Sequence, residues 1–381
     1  VSSTQATHSG LAVTEEFAQK HQRLIRVLDQ TGADGVVLSS AGALSWLLGG
    51  ARVHVSLTGP PVVRAVAHRD GVELAVFSNE SERLQTEEVS ALLEASRLRI
   101  RQLAWHQNID DTGSWLAAPP TQLVDESTAA LPLRAARAPL LGPELSRYRS
   151  LCRDAAAALT AVWGSVTPQT TEREACSALG RELISAGADP LVVLAAGDSR
   201  ARHRHPLPTN APLGRRAMAV VCARRDGLIA NVTRWVCFSD PAPGELELDR
   251  AILEVEADIF DALIPGTELA SVLEVVKGAY PRHGFDVHEW TRHHQGGAAG
   301  YQGRDPRAAP GVPDLIHPQQ AFAWNPSAFS EQLATGAKAE DTVVLSAEAH
   351  GGEEFIEILS ADPSWPSASV RGRQRPLPLY R

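Results

Sequence analysis

Between residues 246 and 276 the chain carries two amphipathic stripes in succession, and each must lie against an apolar surface. Leu248, Ile252, Val255, Ile259 and Leu263 recur at helical spacing, Pro265-Gly266 stops them, and Leu269, Val272, Leu273 and Val276 begin again. Short apolar runs at 191–195, 218–222, 321–324 and 342–346 read as the strands such helices would cover. Upstream, Leu145, Tyr148, Leu151, Cys152, Ala155 and Leu159 make a further helical stripe. Thr171 and Glu174 then fit a capping box for a helix ended by Gly187.

The first third alternates differently. A helix is predicted over 15–29, where Phe17, His21, Leu24, Ile25 and Leu28 share a face and Gly32 follows. The runs 35–38 and 72–77 read as strands, and 43–48 as a short helix closed by Gly49-Gly50. This alternation predicts an α/β layer. The break at Ala138-Pro139-Leu140-Leu141-Gly142-Pro143 predicts two domains, 1–140 and 141–381. A chain of 381 residues with 44% apolar content is also more than one core usually holds. The tail from Asp362, rich in Pro, Ser and Arg, reads as an irregular surface extension.

A net charge of −9 argues against a nucleic-acid binder that relies on a basic face. No apolar stretch reaches the roughly 20 residues of a membrane helix. The opening residues have neither the basic nor the apolar region of a signal peptide. Cys152, Cys176, Cys222 and Cys237 fall in no CxxC pattern, which suits free thiols in a reducing compartment. A cytoplasmic protein is expected.

Common catalytic patterns are missing. There is no GxSxG elbow and no Walker loop, and Gly296-Gly297-Ala298-Ala299-Gly300 is not a dinucleotide fingerprint. His288-Glu289 opens like a zincin helix, but the next histidine is His293. Ligands five residues apart point about 140° apart on a helix and cannot share one metal.

Taken in order, several segments resemble the creatinase / aminopeptidase P / prolidase family over nearly the whole length. They are 32–38 through Leu48-Gly49-Gly50, the helix from Glu144, and His205-Pro206-Leu207-Pro208-Thr209-Asn210. Asn231-Val232-Thr233-Arg234, Pro265-Gly266, the stretch 293–300, Asn325-Pro326 and 336–341 follow. The resemblance implies an α/β (α+β) protein: a creatinase-like N-terminal domain followed by a pita-bread domain, a curved antiparallel sheet flanked by helices.

The family's peptidases hold two divalent ions with two aspartates, a histidine and two glutamates. The resemblance puts those positions on Val220, Asn231, Gly297, Asn325 and Glu340, so only Glu340 keeps its residue type. Two dications about 3.5–4 Å apart are stable only when several carboxylates bridge or chelate them. Valine and glycine offer no lone pair and amides are weak donors, so the dimetal site is expected to be lost, with no cofactor. Asp226, the candidate for a missing aspartate if the match shifts by a residue, reads as a turn residue in Arg225-Asp226-Gly227.

What remains is a set of groups able to move protons and hold a polar molecule. The family's substrate-side histidine falls on His205, whose imidazole titrates near neutral pH. His203, two residues away, reads as a surface group. His293 and His294 precede the glycine turn; adjacent strand residues face opposite ways, so one of them, His294, is expected in the pocket. Catalytic roles are expected for His205, His294 and Glu340. Substrate-binding roles are expected for Asn231, Arg304, Asp305 and Asn325, with an Arg304–Asp305 pair as the structural alternative for those two. Arg234 reads as structural, and Cys222 lacks an activating partner.

The expected function is a metal-independent, creatinase-like enzyme acting on a C–N bond of a small polar, zwitterionic molecule by hydrolysis or elimination. Two alternatives stand beside it: a metal-dependent Xaa-Pro peptidase with other ligands, and an inactive family member used for binding. The resemblance implies a homodimer; neither nucleic acid nor membrane is expected as a partner.

Overall fold

The structure is a computed structural model that describes residues 2–94, 97–117, 120–346 and 356–381. It divides into two compact units, Val1–Leu145 with Asp226–Leu228, and Ser146–Arg225 with Ile229–Arg381.

The first unit is built on a mixed five-stranded sheet. Helix α1 (Ser2–Thr31) leads through Gly32, at φ 69°, into β1 (Gly35–Leu38) and α2 (Ala41–Leu47). The stripe of α1 is buried at Phe17, His21, Leu24 and Leu28. Strands β2 (Val63–His68) and β3 (Gly71–Phe77) form an antiparallel hairpin. The short helical turns α3 (Ser81–Arg83) and α4 (Ser90–Glu94) precede β4 (Leu98–Leu103), and β5 (Leu123–Asp125) precedes α5 (Ala130–Arg137). Sheet order is β4-β3-β2-β1-β5, with β3–β4 and β1–β5 parallel. Strand β4 has arginines at alternate positions, Arg99 and Arg101, and β2 is interrupted by Arg64, so both escape a search for apolar runs.

In the second unit, α6 (Gly142–Trp163) is followed by α7 (Glu172–Ser185). Thr171 caps α7 in a full capping box with Glu174, and Gly187 at φ 75° ends it. Strands β6 (Asp189–Ala196), β7 (Arg216–Arg225) and β8 (Leu228–Cys237) follow. The β7–β8 turn has Asp226 and Gly227 both at positive φ, the type of turn whose twist suits a two-residue hairpin.

Helices α8 (Glu245–Asp261) and α9 (Leu269–Arg282) then lay the two stripes over one core. Ile252, Val255, Ile259, Val272 and Val276 pack with Phe322, Trp324, Val343 and Leu345. Those partners stand on β10 (Ala321–Trp324) and β13 (Asp341–Leu345), which with β9 (Gly296–Ala299) and β14 (Ile356–Ile358) form an antiparallel sheet of order β14-β13-β10-β9. Between β10 and β13, β11 (Ser327–Ser330) and β12 (Thr335–Lys338) form a hairpin.

The C-terminal tail corrects an expectation. It forms the hairpin β15 (Ser367–Val370) and β16 (Arg373–Pro376), and β17 (Leu379–Tyr380) adds to β8 in parallel. Its arginine content is partly structural. Arg375 is buried, bonded to Glu256 and to Asp341, whose other oxygen takes Arg234 at 2.8 Å. A polar composition reads as surface until its ionic partners, more than 30 residues away in sequence, are seen.

Candidate active site

The site is assembled from β8, the end of β12 and two loops. An isolated antiparallel bridge joins Thr233 of β8 to Glu340. The Thr233 N–H donates to the Glu340 carbonyl at 3.0 Å, and its hydroxyl donates to Oε2 at 2.7 Å. Lys338 ends β12 two residues before Glu340, so strand periodicity puts both side chains on one face. Lys338 Nζ lies 3.2 Å from Glu340 Oε2, while Arg304 Nη2 lies 2.9 Å from Oε1. All three side chains are under a tenth exposed. Burial alone would raise the Glu340 pKa, but Lys338, Arg304 and Thr233 outweigh it and hold the carboxyl at about 2.

Beside this clamp lies a cluster of three imidazoles. His205 Nε2 and His293 Nε2 are 3.0 Å apart, one donating and the other accepting. The His293 and His294 rings stack at 4.4 Å, and the His205 and His294 centroids are 5.5 Å apart. Buried Glu289 holds the two loops together by pairing with Arg204 from one side and with Arg292 at 2.9 Å from the other. Buried Gln295 fixes the approach to β9 by donating to the His293 and Trp290 carbonyls and accepting from the Tyr280 hydroxyl.

These imidazoles are held neutral. Burial, then Lys338, brings His293 down to about 2; burial, then Arg304 and Arg307, brings His294 down to about 4. His205 is exposed at the edge of the cluster and is lowered by the same causes, burial and then Lys338. Cys222 is pushed up to about 12 by burial and by Glu340, so its thiol stays protonated and is a poor nucleophile.

The expected residues thus divide into those that converge and those that line the surroundings. His205, His294, Glu340 and Arg304 come together. Asn231 is buried on β8, two residues before Thr233, with Nδ2 donating to the Ile229 carbonyl at 3.2 Å. Asn325 follows β10 and is buried; its Oδ1 has no hydrogen-bond partner among the described residues. Asp305 is half-buried and tied to β9 through its N–H, which donates to the Ala298 carbonyl at 2.8 Å. Arg304 pairs with Glu340 at 2.9 Å. His203 is exposed, and Arg234 is structural, bonded to Asp341 and the Ser360 carbonyl.

The expectation that only one of His293 and His294 enters the cluster needs correction. Both do, because they lie between the 3-10 turn Glu289–Arg292 and β9, where strand alternation does not apply. Lys338 was not singled out by sequence. The Lys-x-Glu spacing at a strand end was the available signal, and it becomes legible only once 335–338 is known to be a strand.

Residues 146–347 match the model of metallopeptidase family M24, and the chain belongs to that family. No curated protein matches it in sequence. Three solved structures show the same fold, and therefore the pita-bread architecture. The prolidase from Pyrococcus horikoshii OT3 is 15% identical with a TM-score of 0.70, covering 90% of this chain and 98% of that one. The dipeptidase PepE from Mycobacterium ulcerans is 16% identical at TM-score 0.71, covering 92% and 97%. The N-terminal domain of the FACT complex subunit SPT16 from chickpea is 11% identical at TM-score 0.64, covering 91% and 96%.

A metallopeptidase family implies metal, and the residues at the five positions that the resemblance assigns to it do not fit a metal pair. Val220 packs in an apolar cluster with Leu194, Met218 and Trp235. Gly297 sits at φ 149°, and a Cβ there would lie 2.3 Å from the Pro306 carbonyl oxygen, so no side chain enters without moving backbone. The Asn231 amide is turned to its own strand. Both oxygens of Glu340, the one carboxylate of the set, already carry cationic partners.

Proposed function

We propose that this protein is an enzyme of the M24 fold that works without the family's metal pair, cleaving a C–N bond of a small polar, zwitterionic molecule. The observation that carries this reading is the double clamp on Glu340. Arg304 and Lys338 place two fixed positive charges on the one carboxylate left from the metal-binding set. Charge that a metal pair would supply is supplied instead by side chains, and the histidine cluster stands next to it.

In this reading His205 is the proton carrier, since it is neutral, exposed and hydrogen-bonded to a second imidazole. In hydrolysis its Nδ1, the ring nitrogen not bonded to His293, accepts a proton from the attacking water as the new C–O bond forms. That proton then goes to the nitrogen leaving as the C–N bond breaks. In elimination the proton comes from the carbon next to the one that bears the nitrogen, its electrons form the C=C bond, and the same nitrogen leaves. Such transfer typically contributes about 10²–10⁴ in rate. His293 and His294 orient His205 and keep the cluster neutral. Arg304 is committed to Glu340, so exposed Arg307 is the free guanidinium for a substrate carboxylate. The orphaned Asn325 Oδ1 can accept from a substrate ammonium, and Asn231 and Asp305 line the same region. A homodimer remains part of the proposal. No described helix is long and apolar enough to cross a membrane.

The test is a screen of small C–N compounds with the metal-stripped protein, followed by His205→Ala on any hit. Turnover that falls at least about 100-fold in His205→Ala supports the reading, and undiminished turnover refutes it. A second reading, a binding protein without activity, draws on the shared fold of the SPT16 domain. Ligand-dependent melting shifts with no product would favour it.

A further inference from the structure

We infer that His205, His293 and His294 form a binding site for one nitrogen-preferring transition-metal ion, of the zinc, nickel or copper type, at a place distinct from the family's metal positions. Among the described residues this is the one group of three such side chains whose ligand atoms converge, all lying within 4.8 Å of one another. Two imidazole nitrogens bound tetrahedrally to one ion at about 2.0–2.1 Å from it stand about 3.3 Å apart. The His205 and His293 Nε2 atoms are already 3.0 Å apart. His205 is exposed and can turn about its own torsions to complete the triangle with His294.

A second observation points the same way. His293 is 92% buried (8% exposed), yet its Nδ1 has no hydrogen-bond partner, and neither has His294 Nδ1. Without an ion, one Nε2 must carry the proton that it shares with the other. An ion that takes both Nε2 lone pairs replaces that shared proton, and the unpartnered His294 Nδ1 can offer it a third lone pair.

The surroundings narrow the choice of ion. Both Glu340 oxygens are taken by Lys338 and Arg304, so that carboxylate is not open to an ion at the histidines. Hard ions such as magnesium, calcium and manganese need several anionic oxygens, which three imidazoles do not supply. Neutral imidazole suits zinc, nickel and copper. Binding does not depend on the proton-carrying role proposed for His205, but an ion on Nε2 leaves the ring's proton on Nδ1, so the two uses exclude each other.

Cobalt(II) serves as the probe, titrated into the metal-stripped full-length chain and followed by its visible d–d absorption, with calorimetry using zinc alone. One equivalent per chain is expected. Affinity should fall by more than about tenfold, the size that even outer-shell losses reach, in both His205→Gln and His293→Gln. The exposed control His203→Gln should bind like wild type. His205 lies at the surface, so His205→Gln keeps the test valid even if His293→Gln misfolds. No binding, binding unchanged in His205→Gln, or two equivalents that depend on Asn231 would each overturn the assignment. None of these readouts uses turnover, so failure here leaves the proposed reaction untouched.

Discussion

Lys338 Nζ reaches Glu340 Oε2 at 3.2 Å across a two-residue strand step, and Arg304 closes on the other oxygen at 2.9 Å. Removing the carboxylate charge leaves two buried cations facing each other. Glu340→Gln should therefore lose about 3–5 kcal/mol in urea unfolding, the cost of breaking a buried pair from one side. The double variant Glu340→Gln with Lys338→Met should recover part of the loss. With the folded pKa depressed to about 2, this contribution is complete above the ordinary carboxylate range and disappears only as pH falls through 2. An unchanged midpoint in the single variant would show that the clamp contributes nothing.

Gly297 is where the backbone itself excludes a ligand. Gly297→Ala combines a φ of 149° with a Cβ placed 2.3 Å from a carbonyl oxygen. It should cost at least about 2 kcal/mol, more than an ordinary glycine substitution. Gly297→His should be worse and should bring no manganese binding. Calorimetric melting of both variants decides this.

Glu256 gives the fold a pH dependence near neutrality. Burial raises its pKa to about 7; Arg375 opposes this but is shared with Asp341. An acid with a raised folded pKa contributes its full stability below about 4.5 and loses it as pH rises through 7. Wild-type stability should therefore decline over that window, and Glu256→Gln should flatten the slope. A melting series from pH 4.5 to about 8 reads the difference.

The capping box of α7 is an independent check on the fold. Thr171→Ala removes the acceptor for the Glu174 N–H at 3.2 Å. A loss of about 0.5–2 kcal/mol in denaturant unfolding is expected. A silent substitution would mean that this helix end is held by other contacts.

Helices were the legible part of the sequence because their stripes are long: the α8 and α9 residues chosen by spacing are those that pack on Phe322 and Val343. The β10 and β13 runs were short but wholly apolar and equally plain. Strands β2 and β4, interrupted by Arg64 and by Arg99 and Arg101, were not. The tail misled because its arginines are paired with Glu256, Asp258 and Asp261, partners that composition cannot reveal. At the site, His205, His294, Glu340 and Arg304 could be picked from the sequence, though not the pairing of Arg304 with Glu340. Lys338 could not, since it matters only through its strand register.

The proposal rests on Lys338 and Arg304, fixed cations that take both oxygens of the carboxylate the resemblance assigns to a metal pair. Equilibrium dialysis of the metal-stripped chain against manganese, with bound ion measured per chain, tests it most directly. The account predicts substoichiometric manganese and no Xaa-Pro dipeptide cleavage when the ion is added. Two equivalents bound per chain, with cleavage appearing in step, would contradict it.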